Sequence, residues 1–110
     1  MNIKIEVMEH DNLLEVKLAG EIDAYTAPKL RETLFPLSEQ EQVNMVVDLT
    51  DVGYMDSTGL GVFVGVFKSI RSKDGELKLI GLSKRLIRLF EITGLAEIMD
   101  INSQNEGEEE

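Results

Sequence analysis

The sequence predicts an α/β domain: one mixed β-sheet that opens with an N-terminal hairpin and carries helices, in the order β-β-α-β-α-β-α. Three observations point there. Two alternating segments flank a polar turn near the N-terminus. A nearly continuous apolar run with β-branched residues spans 43–49. Segments with apolar residues at helical spacing alternate with strand-like stretches after the hairpin.

In the first segment Ile3, Ile5 and Val7 alternate with Lys4, Glu6 and Met8, the period of a half-buried strand. Residues 9–12 form a polar turn, and Leu14, Val16 and Leu18 alternate again with Glu15 and Lys17, which makes a hairpin partner. Gly20 ends that strand. Thr26 is placed to cap a helix whose first turn tolerates Pro28, and Ala27, Leu30, Leu34 and Leu37 form its apolar stripe. Pro36 is expected to end or kink it. The run at 43–49 reads as a central strand buried on both faces. A turn is expected over residues 50–54, then a long helix from Ser57 to about Lys73. Asp74-Gly75 is a turn, and Leu77, Leu79 and Ile80 mark another strand. Ser83 caps a third helix with Leu86, Ile87, Leu89, Phe90 and Ile92 as its buried stripe, stopped by Gly94. Residues 96–101 form a last short strand or helix. The domain is expected to span 1–101, followed by an acidic, disordered tail at 102–110.

The chain has 110 residues, enough for one domain with a modest core. It has no cysteine, which excludes a disulfide framework, a thiol nucleophile and thiolate metal sites, and fits a reducing cytoplasm. No apolar run reaches the roughly 18 residues needed to span a bilayer. With 21 acidic against 11 basic residues the net charge is −10. Such a field repels nucleic acid and anionic membrane surfaces and favours a basic protein partner.

The stretch Asp56-Ser57-Thr58-Gly59-Leu60-Gly61 stands between the apolar strand and the longest helix. A hydroxyl residue there has two readings. It can cap the helix by accepting from a free backbone N–H, or it can be a modification site at the helix end that best tolerates a phosphate. At 100° per residue Leu60, Phe63, Val64, Phe67 and Ile70 share the sheet-facing arc. Ser57, Thr58, Gly61, Gly65, Lys68, Ser69 and Ser72 lie opposite, with Val62 and Val66 between. The outward arc is bare at its N-terminal end. Each interior glycine costs a helix about 1 kcal/mol relative to alanine, so either another element packs closely there or a partner docks.

Catalytic chemistry finds little support. His10 is the one histidine, and a small hydrolase built on Ser57 would need it as the base. Its place in the hairpin turn argues against that. There is no G-x-S-x-G elbow and no P-loop, and the spacing Gly59-x-Gly61-x-x-x-Gly65 is not that of a dinucleotide loop. Asp48, Asp51 and Asp56 are the residues a hard cation would use, but turn solvation and capping account for them. No metal or cofactor is expected.

Three stretches resemble a known family: Gly20-Glu21-Ile22-Asp23, Val47-Asp48-Leu49 and, above all, Tyr54-Met55-Asp56-Ser57-Thr58-Gly59-Leu60-Gly61. The chain resembles the bacterial anti-sigma-factor antagonists, which are STAS-domain proteins, and is most similar to their general-stress branch. Gly94-Leu95 after an amphipathic helix adds to the match. The resemblance implies partner switching. The unphosphorylated antagonist binds an anti-sigma factor that is also a GHKL-type serine kinase, and the sigma factor is freed. The kinase phosphorylates Ser57 and the complex separates, and a PP2C-type phosphatase restores the binding form. Asp23 matches an acid that the family carries near the modified serine. The docking surface implied by motif and helix face comprises Asp23, Asp56, Ser57, Thr58, Gly59, Gly61, Val62 and Gly65. A STAS module of a sporulation pathway or of a stressosome-type scaffold is the alternative within binding proteins.

Overall fold

The computed structural model describes residues 2–104. Within them the chain runs β1 (Ile3–His10), β2 (Leu13–Ile22), α1 (Ala27–Ser38), β3 (Asn44–Met55), α2 (Ser57–Ser72), β4 (Glu76–Leu82) and α3 (Lys84–Ile92). A 3₁₀ turn (Leu95–Glu97) and β5 (Asp100–Ser103) follow. The predicted order holds, and the residues after α3 form both a helical turn and a strand. The five strands lie in the order β1-β2-β3-β4-β5, with β1 antiparallel to β2 and the other pairs parallel.

Register explains the core. Leu14, Met45 and Leu77 stand side by side across three strands, as do Val16, Val47 and Leu79. All six are buried. Burying side chains of this size stabilises by roughly 1.5–3 kcal/mol each. The helices cover that face, with Leu30 and Leu34 of α1, Phe63 and Ile70 of α2 and Phe90 of α3 in the same cluster. The other face is open. Glu15, Val46 and Lys78 form one row on it, and Lys17, Asp48 and Ile80 the next, all exposed or half-buried. The expectation that 43–49 is buried on both faces is thus corrected. The apolar run arises because Val46 is half-buried among the open-face side chains of Glu15, Met8 and Ile80.

Other boundaries move for local reasons. β3 continues through the expected turn at 50–54. Two irregularities in its pairing with β2 absorb the extra residues, and the register resumes at Ile22 opposite Met55. α1 passes Pro36 and ends at Ser38. Pro36 is exposed, so water can satisfy the carbonyl its missing N–H would have met. Ile92 is 73% exposed and leaves the predicted stripe. The ordered domain also extends past residue 101. Asn102 and Ser103 belong to β5, and Gln104 donates its N–H to Leu82 O at 2.9 Å and its side-chain amide to Thr50 O at 3.0 Å. The rest of the expected tail, 105–110, lies outside the described residues.

Candidate functional site at the strand ends

The C-terminal ends of β2, β3 and β4 bring three chain segments together, the usual place for function in a sheet with parallel strands. β2 leads to residues 23–26, β3 to Asp56-Ser57, and β4 to Ser83 and α3. The first two are tied directly, since Asp56 N–H donates to Ile22 O at 3.2 Å.

The cap of α2 is Asp56, and this corrects the reading of Ser57 or Thr58 as the cap. Asp56 has extended backbone angles (φ −109°, ψ −171°). Its Oδ1 accepts from Thr58 N–H at 2.9 Å and Gly59 N–H at 3.3 Å. Ser57 is already the first helical residue. Ser57 and Thr58 are both exposed, and neither hydroxyl has a hydrogen-bond partner among the described residues.

Asp23 is placed differently from the expected surface acid. It is only 7% exposed. Its Oδ1 accepts from the N–H groups of Tyr25 and Thr26 at 2.9 and 3.0 Å. Thr26 closes the loop by donating its hydroxyl to Glu21 O at 2.8 Å and accepting from Asp23 N–H at 2.9 Å. Thr26 precedes α1 but makes no side-chain cap. The carboxylate therefore shapes the loop from inside, and the loop presents Tyr25, 85% exposed.

The smooth helix face divides in two. A Cβ on Gly61 would meet nothing within 4 Å, so that position is open. A Cβ on Gly65 would lie 2.7 Å from the Phe35 ring. Here α1 covers α2, and Ser38 Oγ and Ser69 Oγ lie 2.9 Å apart across the same seam. Gly65 is thus a half-buried helix-packing glycine beneath the Phe35 ring. Gly59 is buried, and a Cβ there would come within 2.6 Å of Ile22 and 2.8 Å of Met55. Val62 is fully buried. Both support the exposed residues from below and offer no surface of their own.

Sequence reasoning missed the aromatic and apolar surface beside Ser57. Tyr54 is 45% exposed, one strand away from the Tyr25 loop. It borders a groove of about 200 Å³ against α3, lined also by Arg85, Arg88, Leu89 and Ile92. The available signal was two tyrosines flanking turn-forming residues.

His10 ends β1, where it faces Glu15 at 3.8 Å beside the hairpin turn. Ser57 lies beyond the opposite ends of the strands. The ten-residue β2 alone spans about 30 Å at roughly 3.3 Å per residue. No nucleophile–base pair can form over that distance. No group of three or more metal-ligating side chains occurs among the described residues. No helix among them is long and apolar enough to cross a membrane.

Comparison with known proteins decides the family. The STAS domain model matches residues 4–107. The chain belongs to the STAS family of anti-sigma-factor antagonists. This family is regulatory and non-catalytic. The STAS domain is 56% identical over 107 residues to the anti-sigma-B factor antagonist of Bacillus subtilis, covering 97% of each chain. It is 57% identical over 104 residues to that of Listeria monocytogenes, covering 94% of this chain and 91% of the relative. An anti-sigma factor antagonist from Mycobacterium paratuberculosis superposes with a TM-score of 0.82 at 25% identity, over 92% of this STAS domain and 86% of that chain.

Proposed function

We propose that this STAS domain is an anti-anti-sigma factor whose switch is Ser57. The unphosphorylated chain binds an anti-sigma factor of the GHKL serine-kinase type and so frees a sigma factor. Phosphorylation of Ser57 ends the binding, and a PP2C-type phosphatase reverses it, all in the cytoplasm. The observation that carries this reading is the Ser57 hydroxyl, exposed on the first turn of α2 with no partner among the described residues, inside the family's most specific motif.

The docking surface centres on Ser57, Thr58 and Gly61. Tyr25 and Tyr54 flank it as aromatic anchors, the residue type most often found at the energetic centre of interfaces. Asp23 and Asp56 contribute by holding the loops that display these side chains. Phosphate on Ser57 adds about −1.5 to −2 charge at the middle of that surface. Its bulk and charge oppose a close partner, while a site at the helix start leaves the fold intact.

The test mixes the protein with a GHKL-type anti-sigma kinase and ATP, and follows intact mass and co-elution. The parent gains one phosphate and dissociates. Ser57→Ala stays bound and unmodified, and Ser57→Asp binds weakly with unchanged circular dichroism. Phosphate on Thr58 in the parent would move the site, and equal affinity of Ser57→Asp and the parent would sink the charge mechanism.

A further inference from the structure

The start of a helix ordinarily leaves four backbone N–H groups free, and a nearby phosphate is drawn to them. Each of the four can be traced here. Asp56 N–H donates to Ile22 O at 3.2 Å. Thr58 and Gly59 N–H both donate to Asp56 Oδ1, at 2.9 and 3.3 Å. Of the four, only the N–H of Ser57 is left without an acceptor among the described residues, and Gly59 is buried out of reach in any case. The α2 terminus is therefore already occupied by an anion from the chain itself.

We propose that Asp56 is a positioning residue for the modification: by holding the Thr58 and Gly59 N–H groups it denies them to a phosphoryl group on Ser57, which stays out in solvent. The proposal rests on the reading of Ser57 as the modified residue. A phosphate in this place gains no charge-assisted bond from Thr58 or Gly59 and has a carboxylate as its chain neighbour. The phosphorylated form is then not trapped by self-capping. Its phosphate stays presented to a phosphatase, which suits a switch that must be reset.

The experiment uses the full chain with phosphoserine incorporated at position 57 during translation, so no kinase is needed. ³¹P resonance follows the second ionisation of the phosphate, and ¹⁵N–¹H spectra follow the amides. In the parent the midpoint should lie at or above about 6, the usual value for phosphoserine. The Thr58 and Gly59 amides should not move with it. In Asp56→Ala the N–H groups are released. The midpoint should fall by about one pH unit, a ~10-fold change in the proton equilibrium, and the Thr58 amide should shift downfield as the phosphate ionises. Removal of the phosphate by a PP2C-type phosphatase should be slower in that variant. A parent whose Thr58 and Gly59 amides track the phosphate, or whose midpoint lies well below a matched phosphopeptide, would overturn the proposal. The parent measurement decides it even if Asp56→Ala folds poorly. Kinase modification of Thr58, seen by mass, would instead overturn the Ser57 reading and leave this result standing.

Discussion

Two aspartates at neighbouring strand ends make the same local bonds and do different work. Asp23 follows Ile22 and Asp56 follows Met55, and these two residues are paired across β2 and β3. Each carboxylate accepts from the N–H groups two and three residues ahead. Around Asp23, Thr26 stitches the turn to Glu21 O, and the carboxylate is buried. Around Asp56 the residue in the place of Thr26 is Gly59, and the turn runs straight into α2 with its first side chains in solvent. A closed loop makes a rigid mount for Tyr25. An open one leaves the Ser57 hydroxyl in solvent.

Substitution separates the two. Asp23→Ala leaves the buried Thr26 N–H and the part-buried Tyr25 N–H without their acceptor, and an unmet buried donor costs about 1–3 kcal/mol. A loss of about 3 kcal/mol is expected in urea unfolding. Should Asp23→Ala cost no more than a simple cap, the contrast between closed and open loop fails.

Gly65→Leu tests the covered part of α2. Overpacking against Phe35 should cost about 2 kcal/mol by thermal or urea unfolding. A neutral result would mean that Phe35 swings away and that α1 does not close this face.

Asp56→Ala removes a half-buried helix cap and should cost about 1 kcal/mol in the same assay. Water can replace the acceptor for Thr58 N–H, which is why the expected loss is smaller than at Asp23.

Gly61→Ala is the mildest change. Alanine should stabilise α2 by about 1 kcal/mol, since nothing occupies the space its Cβ would enter. Weaker kinase binding despite that gain would place the position within the interface.

The same contrast shows what could be read from residues alone. Leu14, Val16 and Leu18 announced their strand and its buried face, because period-two patterning reflects one-sided burial directly. The motif around Ser57 was legible for a similar reason, being contiguous in the chain. The identity of the cap was not. Asp56 and Ser57 are both good capping types, and only backbone angles decide which one stands outside the helix. Gly65 was placed correctly on the arc away from the sheet, yet periodicity cannot say that Phe35 of α1 fills the space above it. The burial of Asp23 was equally hidden, since it depends on Thr26 folding back to Glu21 O. Val46 misled because a half-buried valine on an open sheet face has the same letter as a core valine.

That open face has a practical consequence. The chain lacks cysteine, so a single thiol introduced at exposed Lys17 would be the only one, carried by a paired strand away from the loops at the strand ends. Such a position offers a rigid attachment point for a fluorophore or a sensor surface. Association and release could then be timed with both tyrosines and Ser57 left unobstructed.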